Sequence, residues 1–239
     1  MTSPTTAAFD RGAARYDLLV SLNPGYHREL RRAAGHLIER IDAASGPSLL
    51  DLGCGSGAST RALLDAAPDA ARIVGVDASP GMLAQARAKA WPDRVRFRSG
   101  VAGQLDPTTL DGGHDGILAC YLFRNVPEPQ RDRSVQEVFT LLRPGGVLVA
   151  QEYSVADSRI ARLVWSLVSW GVILPLGTVI DRNPGLYHYL WRSVRHFDGV
   201  TAFARRLERA GFVDIAHTTA SGWQRGILHT VVAHKPKES

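Results

Sequence analysis

Cysteine is scarce in this chain: its 239 residues contain two, at positions 54 and 120. That number excludes a disulfide-stapled fold, and the spacing matches no metal motif, so no metal site is expected. Each cysteine follows or ends a predicted strand on one sheet edge. Both are expected to be reduced, partly buried thiols of a cytoplasmic protein. The N-terminus lacks a basic start followed by an apolar run, so no secretory leader is expected. The 23 glycines and 13 prolines are scattered, which confines expected fraying to residues 1–6 and 235–239. No internal repeat occurs. The 28 basic and 23 acidic residues leave a net charge of +5 but form no nucleic-acid motif. Runs such as Arg28, Arg31 and Arg32, or Arg205, Arg206 and Arg209, read as solvated helix faces. The remainder, 45% hydrophobic, can bury a full core in one α/β domain, with or without a small cap.

The most informative segment runs from Leu49 to Gly57. A strand end carries Asp51, and Gly53, Gly55 and Gly57 make a turn into a helix expected over 58–66. Glycines at alternate positions permit positive φ and a close backbone approach, so a ligand can lie against the helix N-terminus. A second strand, 72–76, ends in Asp77. An acid about twenty residues beyond such glycines suits the two hydroxyls of a ribose.

Apolar or small residues at 30, 33, 34, 37, 38 and 41 recur with a helical period and predict a helix over 26–41; another is expected at 7–16. Strands are expected at 48–52, 72–76, 95–98, 114–119 and 147–152, with helices at 79–90 and 131–142 and a Pro-Gly-Gly turn at 144–146. A last helix at 200–210 precedes strands at 212–218 and 227–233, whose short connection requires them to be antiparallel. The alternation predicts an α/β, Rossmann-like, doubly wound seven-stranded sheet with a terminal antiparallel pair. One domain spans 1–239, with an N-terminal lid over about 1–45 and a helical cap inserted over about 155–198. Its ligand belongs beyond the carboxyl ends of strands one, two and four. NAD(P) is one reading of the glycines and acid, although a second mononucleotide-binding half is less apparent and the chain ends in an antiparallel pair.

Residues 163–180 carry no charge. Gly171, Pro175 and Gly177 interrupt the run, which argues against a membrane span. It reads as a cap helix that faces a greasy substrate, touches a bilayer from one side, or simply packs. Trp165, Trp170, Trp191 and Trp223 read either as walls of an apolar pocket or as core.

With these pieces in place, the chain is similar to class I S-adenosylmethionine-dependent methyltransferases. Within them it resembles the UbiE/MenG/COQ5 family, which C-methylates ubiquinone and menaquinone precursors. The resemblance rests on Phe9-Asp10 with Tyr16-Asp17, LDLGCGSG at 50–57, VGVDASPGML at 74–83 and YLFRNVPEPQRD at 121–132. It continues through LLRPGGVLVAQEYS at 141–154, ILPLG at 173–177, YHYLWRSVRHF at 187–197 and ERAGF at 208–212.

The resemblance implies that Asp51, Gly53, Gly55 and Gly57 hold the methionine end of S-adenosylmethionine. It also implies that Asp77 binds the ribose and that Ala78 and Met82 flank adenine. Cys120 and Tyr121 would lie near the sulfonium or the substrate, and Arg124 and Asn125 match the pair associated with the active centre. Tyr16 belongs to the lid pattern. One departure stands out: where the family carries Gly-Asp-Ala, this chain has Gly100-Val101-Ala102. The Ala102 amide can still meet adenine, but the acidic contact at Val101 is lost.

Methyl transfer needs chiefly in-line positioning. For a phenol or hydroquinone, Arg124 is expected to stabilise the phenolate and Asn125 to orient the oxygen. His188 is a candidate base, with a surface or packing histidine as the leading reading of the same residue. Glu152 is a weaker relay candidate. The expected acceptor is a hydrophobic aromatic or quinol-like molecule methylated at carbon. O-methylation of a polyketide phenol, cyclisation or elimination, cofactor sensing and hydride transfer remain alternatives. No nucleic-acid partner is expected, whereas peripheral membrane contact and a homodimer stay open.

Overall fold

In the computed structural model, residues 25–42, 46–110, 112–181 and 184–237 are described; the helix expected at 7–16, and Tyr16 with it, lies outside them. Strand β1 (Ser48–Leu52) is buried at every position because it lies inside the sheet, with strands on both sides. It pairs in parallel with β2 (Arg72–Asp77) and β4 (His114–Cys120). Strand β3 (Val95–Ser99) pairs with β2, and β5 (Leu142–Tyr153) with β4, both in parallel. Strand β7 (Leu228–His234) runs antiparallel to β5, and β6 (Val213–Thr219) antiparallel to β7. The order is β3-β2-β1-β4-β5-β7-β6, the seven-stranded arrangement with a terminal antiparallel pair that the sequence predicts.

Alternate side chains of the central strands feed two core layers. Leu49, Leu118 and Val147 point to one, where they meet Leu30 and Leu37 of α1 (Tyr26–Ile38) and Leu63 of α2 (Ala58–Ala66). Leu50, Ile117 and Leu148 point to the other, against Val135 and Val138 of α4 (Glu128–Leu141) and Phe203 of α8 (Val200–Ala210). Burial on both faces is why these strands read as continuous apolar runs rather than as alternation. The short α3 (Pro80–Arg87) starts on Ser79, whose hydroxyl accepts the Met82 N–H.

Two expectations are corrected. Pro144-Gly145-Gly146 does not separate helix from strand but lies inside β5, where pairing slips between His114–Leu142 and Gly116–Val147. The extra residues form an irregularity of the bulge kind, with Gly145 at φ +78°. The segment expected to be broken at Gly171, Pro175 and Gly177 is instead continuous: α5 (Arg159–Val168), a π-turn (Ser169–Ile173) and α6 (Leu174–Asp181). The π-turn bonds Leu174 N–H to the Ser169 carbonyl and inserts one residue before the proline. The buried stripe therefore continues as Ala161, Trp165, Ser169, Leu174 and Gly177 despite a proline that an unbroken α-helix tolerates poorly. Helix α7 (Pro184–His196) follows.

Gly57 caps α2 at φ +91°, and a Cβ there would lie 2.9 Å from the Trp91 ring. Gly57→Ala is expected to cost about 1–2 kcal/mol from the left-handed backbone alone, with the ring displaced as well. A lower thermal midpoint and altered indole fluorescence would register it.

Candidate functional site

Where the strand order diverges on either side of β1, the carboxyl ends of β1, β2 and β4 open onto a cavity of about 580 Å³. The glycine turn forms its floor and is tied to β2: the Gly53 and Cys54 N–H groups both donate to the Val76 carbonyl, at 2.8 and 3.0 Å. Gly53 (φ +79°) faces Leu122, whose side chain lies 3.0 Å from where a Cβ would stand, whereas Gly55 opens onto empty space. The Asp77 carboxylate bridges the turn and α3. It accepts Gly55 N–H at 2.8 Å and Ser79 N–H at 2.8 Å, which fixes the carboxylate at the cavity edge.

Asp51 lies beneath the turn, fully buried. Ser59 and Thr60 both donate to its Oδ2, at 2.8 and 2.6 Å, while its Oδ1 has no hydrogen-bond partner. Burial pushes the carboxyl up to about 6 despite those two donors. A buried acceptor left open in this way calls for a donor from a ligand, best a cationic one.

Across the cavity, Cys120 ends β4 and Tyr121 follows at φ +60°, its N–H held by the Gln151 carbonyl at 2.7 Å. The Tyr121 ring is stacked between Tyr26 and Tyr153, with centroids 5.5 and 5.0 Å apart, and Tyr153 stacks on Trp165 of α5 at 5.6 Å. Burial pushes both the Tyr121 hydroxyl and the Cys120 thiol well above their usual range, so neither ionises near neutrality. Both cysteines are free and buried, more so than the sequence predicts.

The next turn carries Arg124 and Asn125. Arg124 is buried; its Nη1 donates to Ser193 Oγ of α7 at 2.7 Å and to Asn125 Oδ1 at 3.3 Å. Its Nε stands 3.7 Å from Glu152 Oε2. Asn125 donates to the Tyr121 carbonyl at 2.7 Å and accepts the Tyr189 hydroxyl at 3.2 Å. Glu152 Oε1 accepts Phe123 N–H at 2.5 Å. Burial pushes this carboxyl up to about 7, although Arg124 pulls the other way.

The structure brings Gly53, Gly55, Asp77, Ala78, Met82, Val101, Ala102, Cys120, Tyr121, Arg124 and Asn125 to one cavity. Gly57 and Asp51 sit behind the turn. His188 is not among the lining residues: it is exposed on α7, edge-on to Trp170 at 5.3 Å. Helical period carries it to the outer face while Ser193 and Tyr189 turn inward to Arg124 and Asn125. The four tryptophans named above also lie outside the lining.

Sequence reasoning missed Ser193, although it lies within the family-like block at 187–197, and Tyr26, whose ring forms part of the wall. It also missed Glu137 of α4, which accepts Gly103 N–H at 2.6 Å and Leu105 N–H at 2.5 Å and so holds the loop bearing Val101 and Ala102.

Residues 4–235 match the ubiE/COQ5 methyltransferase family. The chain belongs to that family. It is 31% identical over 231 residues to the demethylmenaquinone methyltransferase of Paenarthrobacter aurescens, covering 96% of this chain and 85% of that one. It is 30% identical over 221 residues to the ubiquinone/menaquinone biosynthesis C-methyltransferase UbiE of Methylobacterium nodulans, covering 88% and 83%. In fold it matches an S-adenosylmethionine-dependent methyltransferase of Thermotoga maritima, with a TM-score of 0.60 at 17% identity over 97% and 99% of the two chains. This member of the ubiE/COQ5 family is therefore an S-adenosylmethionine-dependent methyltransferase, and the dinucleotide reading is set aside. The residues present fit that cofactor: a glycine turn open at Gly55, an acid at the end of β2, and the orphaned Asp51 Oδ1 toward a cationic amino group.

Proposed function

We propose that the enzyme methylates a ring carbon of a hydrophobic quinol-type acceptor. The observation that carries this reading is the placement of Arg124 and Asn125 on the same cavity wall system as the glycine turn and Asp77. The two relatives described above, named for demethylmenaquinone and for ubiquinone/menaquinone biosynthesis, support the same class of acceptor. Bound S-adenosylmethionine supplies an electrophilic methyl group.

Asp77 would hold the ribose hydroxyls, Asp51 and the turn amides the methionine end, and Ala78, Met82 and Ala102 the adenine. Tyr26 and the edge of Tyr121, whose faces are stacked on Tyr26 and Tyr153, line the wall toward an aromatic acceptor. A guanidinium offers donors and no acceptor, so Arg124 cannot serve as a base. Its part is to stabilise the acceptor oxygen as an anion, which raises electron density on the ring carbon to be methylated. Asn125, pinned by the Tyr121 carbonyl and Tyr189, orients that oxygen. Glu152 and Ser193 hold the guanidinium in place from behind. With Val101 where the family carries an acid, no carboxylate from that loop assists.

The test is incubation of a prenylated hydroquinone with S-adenosylmethionine bearing a labelled methyl group, the product being located by carbon NMR. Label on a ring carbon is expected. Label on oxygen, or transfer only to polyketide phenols or amines, would overturn the reading. Independently, Asp77→Ala is expected to weaken binding of S-adenosylmethionine or its demethylated product by about 1–3 kcal/mol in calorimetry, since the ribose acceptor and the tie between Gly55 and Ser79 disappear together.

A further inference from the structure

The helix spanning 159–181 is turned against the usual pattern. Its inward stripe includes small residues, Ala161, Ser169 and Gly177, whereas large apolar side chains point out: Ile160, Leu163, Leu167, Trp170, Leu176 and Val179 are between 48% and 77% exposed. Scattered exposed leucines are ordinary on a soluble protein, but a continuous apolar stripe along a helix of about 34 Å is not. None of these residues lines the cofactor cavity, so a bound substrate does not cover them there.

We propose that this face docks on the surface of an anionic lipid bilayer, with the helix lying in the interface. Charge selects this occupant. Between Arg159 and His196 the sequence holds five arginines and a single acid, Asp181. Arg159 and Arg162 flank the stripe on its own helix, and on α7 Arg192 is exposed while the Arg195 guanidinium lies over the Trp191 ring at 4.7 Å. An apolar face with an arginine border suits acyl chains below anionic headgroups. A second copy of the same face would bring arginines against arginines.

The segment Arg159–Val179 is long and apolar enough to cross a membrane, with mean hydropathy 1.6 over an 18-residue window. Its other side, however, is committed to the protein: Trp165 stacks on Tyr153, and Leu174 packs with Tyr187. It lies on the bilayer rather than across it. This inference stands apart from the acceptor proposed above, because its readout is lipid binding and not turnover.

Co-sedimentation with vesicles decides it. The wild-type chain is expected to pellet with vesicles of phosphatidylcholine and phosphatidylglycerol in equal parts, and far less with phosphatidylcholine alone. Joint Leu163→Glu and Leu167→Glu substitution is expected to abolish pelleting while S-adenosylmethionine binding, followed by calorimetry, is unchanged. Arg159→Glu and Arg162→Glu should each lower vesicle affinity about fivefold or more. The proposal is overturned if wild type stays in solution, or if the leucine pair can be replaced without loss. It is also overturned if wild type ignores vesicles and forms a dimer that the same pair dissolves, for a second copy then covers the face.

Discussion

Arg124→Ala is expected to lower kcat by roughly 10²–10³-fold, about 3–4 kcal/mol at the transition state, with S-adenosylmethionine still bound. The cofactor contacts proposed here belong to the glycine turn, Asp51 and Asp77, none of which touches Arg124. The loss therefore falls on the step in which negative charge develops on the acceptor oxygen. Alanine also deprives Glu152 of its cation in a buried setting, so Arg124→Lys is the needed companion. Lysine keeps the charge but lacks the planar fork that reaches Ser193 and Asn125 while facing Glu152. It should fold and remain slow. Asn125→Ala should act in the same direction and more weakly. Single-turnover kinetics at saturating cofactor separates the effects. Wild-type turnover in a folded Arg124 variant would reduce this residue to a strut between α7 and β5.

Much of this architecture can be read from the sequence because its signals are local. The buried strands of a parallel sheet are apolar throughout, the glycine turn announces itself by spacing, and Gly211, at φ +101°, stops the last helix as its position predicts. The cap was harder. A stretch in which almost every residue is apolar has no polar side to say which face turns inward, so periodicity could not reveal that Trp165 and Leu174 go in with three small residues while Leu163, Leu167 and Trp170 stay out. Nor could it reveal a π-turn, which depends on what the helix must pack against on both sides of Pro175. The partners of the site were harder still. Ser193 reaches Arg124 across 69 positions, and Glu137 holds the 103–105 loop across more than thirty; no spacing rule reports contacts made only by folding. His188 shows the converse: its chemistry suited a base, but it points outward although its immediate neighbours are Tyr187, which is buried, and Tyr189, which meets Asn125.

Glu152→Ala is expected to destabilise the fold by about 3–5 kcal/mol, read as a fall in denaturant midpoint. Removing one member of a buried ion pair leaves the other charge uncompensated. Here the side chain performs two tasks: Oε1 receives Phe123 N–H at the start of the turn that carries Arg124, and Oε2 faces the guanidinium. Ser193 and Asn125 remain as neutral partners and cannot replace a carboxylate. Glu152→Gln keeps an acceptor for Phe123 and should fall between alanine and wild type. The pH dependence follows from the direction of the shift. Burial raises this carboxyl from 4.5 to about 7, so the fold binds its proton more tightly than the unfolded chain does. Its stabilising contribution is complete below 4.5 and is lost as pH rises through about 7. Asp51, raised to about 6, titrates with the same sign. In Glu152→Gln the decline over this range should therefore be shallower than in wild type, since one raised carboxyl is gone while those of Asp51 and Glu137 remain. Parallel wild-type and Gln curves would show that Glu152 does not take up its proton on folding.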